Sequence, residues 1–164
     1  MQQLQQRRRF LTLGSLSFAL ILTSGCSLFG ITSARTTIDM VQGDLLPKAK
    51  ALGINTSSYI SIIYKHEKIA TREKQFLKNG VKWLHERSFE LYKTSYTKLP
   101  AEKRQALLRD ILKSEWGSNW IDMLLRYTLE AMLGDPIYGG NQNEAGWKWL
   151  AFEGGKPRAK RAYL

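Results

Sequence analysis

The sequence predicts an all-α protein, a small helical bundle that ends in an irregular tail rich in glycine and tryptophan. Three observations carry this. From Ile38 to Leu133 apolar residues recur at intervals of three and four, which places them on one face of a helix. No alternating strand pattern of useful length occurs. Proline, glycine and small polar residues separate the apolar stretches, where helices start and stop. The chain has 164 residues, 43% hydrophobic and 11% aromatic. That is the length of one domain, with enough apolar material for a core.

The elements follow in order. "TIDMVQGDLLPKAKALGI" reads as one helix or two short ones, stopped near Pro47 and Gly53. Asn55, Thr56 and Ser57 can cap the next helix, "SYISIIYKHEK", with Tyr59, Ile62 and Ile63 on one side. Thr71 opens the longest segment. Phe76, Leu77, Gly80, Val81, Leu84, Ser88 and Leu91 form its buried stripe. Gly80 costs this helix about 1 kcal/mol against alanine, so a neighbouring helix is expected to approach closely there. Pro100 suits the first turn of the next helix, whose inner face is Leu107, Leu108, Ile111 and Leu112. Ser118 is expected to cap the last helix. Ile121, Leu124, Leu125, Thr128 and Met132 line one stripe of it, and Met123, Leu129 and Leu133 widen that stripe. So wide an apolar surface belongs to a central helix or to a second contact surface. Gly134 is a natural C-cap, and Asp135-Pro136 stops the helix.

The N-terminus reads "MQQLQQRRRFLTLGSLSFALILTSGCSLFGITSAR". A basic cluster precedes an uncharged run from Phe10 to Ala34, the pattern of an export signal. Arg7 and Arg8, then Arg9, Phe10 and Leu11, resemble the twin-arginine signal, although Gln6 and Thr12 depart from its usual flanking Ser and Lys. Such a signal exports proteins already folded. Cys26 is the only cysteine, so no disulfide forms within the chain. Its place in "LTSGC" resembles a lipoprotein signal, with Thr23 where a leucine is usual. Two alternatives stay open: cleavage after Ala34, or retention of the run as a membrane anchor. Each puts the body outside the cytoplasmic membrane, and the expected location is periplasmic and membrane-associated. The expected organisation is export signal 1–34, helical bundle 35–134, and C-terminal loop and basic tail 135–164.

The charge is +11, from 25 Lys and Arg against 14 Asp and Glu. Setting aside Arg7, Arg8 and Arg9 leaves +8, which suggests an acidic partner or anionic lipid; for an exported body, nucleic acid is excluded. Catalytic chemistry is not legible. His66 and His85 are each followed by Glu but by no second histidine at zinc spacing, and read as surface helical residues. No C-x-x-C-H, no G-x-G-x-x-G and no nucleophile motif occurs. Glu86 and Glu90 are spaced for one solvated helix face. Trp83, Trp116 and Trp120 read as core. No catalytic, cofactor or metal site is expected in this chain.

The tail reads "DPIYGGNQNEAGWKWL". Gly139 and Gly140 permit positive φ and hence a sharp reversal after the helix. Asn141 can bond nearby backbone and hold that reversal. Tyr138 and Trp147 can bracket a rigid loop. If the segment is extended, Trp147 and Trp149 point to opposite sides. The loop is then an internal plug for the end of the bundle, a docking surface, or both.

Asp135, Pro136, Tyr138, Gly139, Gly140, Asn141, Gly146 and Trp147 match a D-P-x-Y-G-G-N turn followed by G-W. On these residues the chain resembles the gluconate 2-dehydrogenase subunit 3 family. The resemblance implies a non-catalytic small subunit of an exported dehydrogenase that oxidises a sugar, sugar acid or polyol. It implies a large flavoprotein partner carrying FAD, and in some complexes a multihaem cytochrome subunit carrying haem c. It further implies that the signal on this chain helps to export the loaded large subunit. The signature residues, with Trp149, are then expected at the partner interface. The competing reading is a free-standing, membrane-attached helical protein whose basic face holds anionic lipid or an acidic partner.

Overall fold

The computed structural model describes residues 28–163, with side chains from residue 34 onward. Arg7, Arg8, Phe10, Leu11 and Cys26 therefore lie outside the described residues. Seven α-helices occur among these residues, and no strand. They are α1 (Leu28–Leu45), α2 (Pro47–Ala51), α3 (Thr56–Lys65), α4 (Thr71–Tyr92), α5 (Ala101–Ile111), α6 (Glu115–Leu133) and α7 (Ala145–Trp149). Short 3-10 turns sit at Tyr96–Lys98, Pro136–Tyr138 and Gln142–Glu144. The described residues from Ala34 onward pack as one unit.

The expected starts and stops are mostly physical ones. Leu45 ends α1, and after Leu46 alone Pro47 begins α2. The Asn55 side chain accepts the Ser58 N–H at 2.9 Å and caps α3. The last long helix starts four residues earlier than its expected cap. Ser114, not Ser118, accepts the Gly117 N–H at 3.2 Å, and Glu115 favours the positive end of the helix.

The core gathers round α6. Leu77, Leu84, Leu107 and Trp120 are fully enclosed, with Val41, Ile60 and Ile63 closing from α1 and α3. Gly80 is where α4 and α6 meet: a Cβ there would lie 2.1 Å from the Trp120 indole. The expected close approach is real, and its partner is a tryptophan. The Trp120 N–H donates to the Leu77 carbonyl at 3.3 Å.

Several face assignments need correction. Ile60 rather than Ile62 is enclosed with Ile63, because α3 presses its Ile60 side on the bundle. Leu91 and Leu112 are 44% exposed, each beside a helix end that turns away from the core. Trp83 and Trp116 are half-buried, not core. They pack edge-on at 5.3 Å, in the wall of an open groove of about 610 Å³ between α4 and the α5–α6 corner. The Arg87 guanidinium bridges this groove, donating to Asp110 at 2.7 Å and to Glu90 at 2.9 Å. His66 caps the C-terminal end of α3. His85 is half-buried and bonded to Thr37 Oγ1 at 2.9 Å, and its burial lowers its pKa.

Polar ties hold α1 in place. Arg104 grips the Asp44 carboxylate with two N–H groups, at 2.6 and 2.9 Å, and Tyr96 donates to it at 2.6 Å. Gln42 bonds the Ile54 carbonyl and the Thr56 N–H, so α1 also fixes the entry to α3. A smaller cluster, Ala49, Ile54, Ala131 and Met132, lies under the C-terminal segment.

Candidate functional site

The candidate site is the segment from Asp135 to Trp149, built on the last turns of α6. Gly134 caps α6 as expected, but its φ is −69°, so it is not left-handed. A Cβ at Gly134 would lie 2.6 Å from the Glu130 carbonyl oxygen, and that closeness is what calls for glycine. Asp135 then caps the Pro136–Tyr138 turn, accepting the Ile137 N–H at 2.9 Å. Its second oxygen accepts from Arg158 at 3.0 Å. The Arg158 bond, with the Ile137 N–H behind it, holds the Asp135 carboxyl below the usual carboxylate range.

The two glycines have different reasons to be glycines. Gly139 has φ 76°, the left-handed conformation the reversal needs. Gly140 does not have positive φ, contrary to the expectation for the pair. It is buried against α6, where a Cβ would lie 2.7 Å from both the Cβ and the carbonyl oxygen of Ala131. Its carbonyl accepts the Asn55 N–H at 3.1 Å, which joins the loop to the start of α3. These positions should respond differently. Gly139→Val is expected to cost about 2 kcal/mol for a β-branched residue forced to positive φ, while Gly139→Asn recovers most of that loss. Urea midpoints of the two variants check this.

Asn141 is fully buried and does what its amide allows. Its Nδ2 donates to the Gly134 carbonyl at 3.1 Å, and its Oδ1 accepts the Gly146 N–H at 2.8 Å. One side chain thus ties the end of α6 to the start of α7. Gly146 is needed for the approach itself, since a Cβ there would lie 2.0 Å from the Met132 carbonyl oxygen.

Trp147 and Trp149 sit in a helical turn, not an extended strand. They still point apart, because two residues along a helix advance by about 200°. Trp147 is 7% exposed and donates its indole N–H to the Leu133 carbonyl at 2.6 Å, satisfying an acceptor that α6 leaves open. Trp149 is 47% exposed. Tyr138 is half-buried, edge-on to Tyr59 at 6.4 Å. Tyr59 in turn donates to Glu130 on α6 at 3.0 Å; burial and that carboxylate push its pKa up. Of the signature side chains, Asn141 and Trp147 are internal, Asp135, Pro136 and Tyr138 are partly covered, and Trp149 faces out.

Arg158 escapes sequence reasoning, which reads it as one of several charges in a basic tail. Its guanidinium lies over the Trp147 ring at 4.6 Å and donates to both Asp135 and Glu144. Its place three residues after Gly155 in the Gly154-Gly155 pair, where the chain can fold back, is the only local signal. Gly154 packs against the same indole. Among the described residues, no group of three His, Cys, Asp or Glu side chains is placed to hold a metal.

The family model for gluconate 2-dehydrogenase subunit 3 matches residues 33–155, from α1 to the double glycine after the signature loop.

The chain belongs to the gluconate 2-dehydrogenase subunit 3 family.

No curated protein and no solved structure matches it. As a gluconate 2-dehydrogenase subunit 3 family member, the chain is a small subunit of a dehydrogenase complex and associates with a larger dehydrogenase subunit. All the signature residues, and Trp149, lie inside the matched span, whereas Arg158 lies beyond it.

One more feature adjoins the loop. On α6, Leu125, Leu129 and Leu133 follow at intervals of four and line an open groove of about 500 Å³ with Asp122, Arg126 and Glu130. Leu129 and Leu133 are 45% and 42% exposed. The over-wide apolar stripe thus has one of its expected causes, the central place of α6, and one edge of it stays exposed.

Proposed function

We propose that the chain is the non-catalytic subunit that seats a large flavoprotein dehydrogenase through the uncovered edge of α6. The observation that carries this is the ridge of exposed Leu129 and Leu133, with half-buried Leu125 beside them, on the helix that the signature loop braces from behind. A row of leucines left in water by a fully packed helix fits a partner surface. In this reading Asn141, Gly140, Gly146 and Trp147 hold the helix end and the ridge in position. Tyr138 and Trp149 are the signature residues available for direct contact.

The large subunit would carry FAD and oxidise a sugar, sugar acid or polyol, and a multihaem cytochrome with haem c would take its electrons. The complex would be periplasmic and membrane-associated, exported by the Arg7, Arg8, Phe10, Leu11 signal, with Cys26 as the lipid attachment point. These expectations rest on the family resemblance and on the N-terminal sequence.

The docking test is Leu129→Asp combined with Leu133→Asp, which places two carboxylates in the ridge without touching the core. Co-purification of the flavoprotein is expected to fall, by about 2 kcal/mol or more in affinity, while circular dichroism and melting temperature of the isolated chain stay near wild type. Undiminished flavoprotein capture by this folded variant removes the ridge from the interface. Export is tested separately. Replacing Arg7, Arg8 and Arg9 together with lysine keeps the charge and removes the guanidinium geometry. Both subunits are then expected in the cytoplasmic fraction, and normal export of the pair would count against the twin-arginine route.

A further inference from the structure

A second uncovered surface lies at the same end of the protein and has different chemistry. From Lys148 to Tyr163 the chain carries Lys148, Lys156, Arg158, Lys160 and Arg161, and one acid, Glu153. Arg158 is spent inside, on Asp135, Glu144 and Trp147. Lys148, Lys156, Lys160 and Arg161 are exposed. Among these cations stand Trp149, Leu150, Phe152 and Tyr163, exposed by 47%, 51%, 54% and 73%. The chain path keeps them together. Phe152 folds back to bond the Trp147 carbonyl through its N–H, and the Tyr163 N–H reaches the Tyr138 hydroxyl at 3.4 Å. Lys48 of α2 adds to the same surface, its ammonium 5.3 Å from the Trp149 ring.

We propose that this face rests on an anionic lipid surface. Tryptophan and tyrosine are amphipathic and favour the headgroup layer, where apolar ring and polar atom are both satisfied. Lysine and arginine beside them gain from the negative potential of acidic headgroups. The exposed apolar side chains are few, and no described helix is long and apolar enough to cross a membrane. The contact is therefore peripheral, a weak seat that adds to whatever attachment the N-terminus supplies. It is independent of docking to the α6 ridge and stands if that docking fails.

The test uses the full chain with vesicles of phosphatidylcholine alone and vesicles containing phosphatidylglycerol. Arg7, Arg8 and Arg9 also favour anionic vesicles, so the change in the ratio of the two affinities between wild type and variant is what isolates the charged face. One variant changes Lys156, Lys160 and Arg161 to Gln; another is Trp149→Ser with Leu150→Ser. The wild type is expected to prefer anionic vesicles by about tenfold or more, a preference that salt reduces. The glutamine variant is expected to lose most of it. The serine variant should weaken binding to the anionic vesicles and reduce quenching of tryptophan emission by brominated lipid. Equal wild-type binding to both vesicles, or an unchanged preference in the glutamine variant, overturns the proposal. So does protection of this face by the purified dehydrogenase subunit with no anionic preference, which would assign it to an acidic protein surface.

Discussion

Trp147→Ala is expected to lose about 4 kcal/mol of stability, the range for removing a buried tryptophan. The loss has identifiable parts. The indole is 7% exposed and supplies the hydrogen bond to the Leu133 carbonyl. It is also the surface on which Phe152, Gly154 and Arg158 assemble. Without it the chain after Leu150 has little to fold against, and Arg158 keeps only two partly exposed ion pairs, each worth little. A melting-temperature drop on the order of 10 °C should accompany the change in urea midpoint. The same variant separates two roles of the signature loop. If flavoprotein affinity, measured below the melting transition, is retained, the loop serves as a plug that closes the bundle. If affinity falls while the chain is folded, the loop also shapes the docking surface. A Trp147→Ala chain as stable as wild type would mean that the packing described for the loop is not the one that holds it.

Gly80→Val is expected to cost about 3 kcal/mol or more. Even the first carbon of the new side chain would lie 2.1 Å from the Trp120 ring, and that ring is fully enclosed. Neither partner can yield cheaply. The ring is packed on all sides, and α4 and α6 are held at their separation by Leu77, Leu84, Leu124 and the Arg126–Glu73 bond at 2.7 Å. Overpacking of this kind forces off-rotamer side chains or shifts a helix. Gly155→Ala is the control, because a Cβ there meets nothing within 4 Å. It should be near neutral, and comparable losses at the two sites would show that helix spacing is not the cause.

The helices were legible because periodicity is a local property. Leu77, Gly80, Val81, Leu84 and Ser88 keep helical spacing whatever lies opposite, and all five are buried. Faces failed where the neighbour decided. Leu91 and Leu112 fit their stripes by spacing, yet each lies at a helix end beyond the reach of the bundle. The cap of α6 failed for another reason. Ser114 and Ser118 are equally good caps in isolation, and the tight approach of Gly117 to the Ile111 carbonyl, 2.0 Å from a Cβ placed there, favours the earlier start.

By itself the sequence determined that the protein is helical, where most helices begin and end, and that the Asp135 to Trp147 motif is a built turn of one family. These depend on neighbours along the chain, on proline and glycine, and on a spacing of residue types. Only the tertiary structure decided what the motif does locally. It showed that Gly139 is needed for its backbone angle and Gly140 for contact with Ala131. It also showed that Asn141 joins Gly134 to Gly146, and that Arg158 comes back over Trp147. It left Leu129 and Leu133 exposed along one edge of α6. The physical reason is the same throughout. Whether a glycine answers to φ or to a neighbour, and whether a leucine faces a core or water, depends on atoms brought close by folding, and no local pattern carries that information.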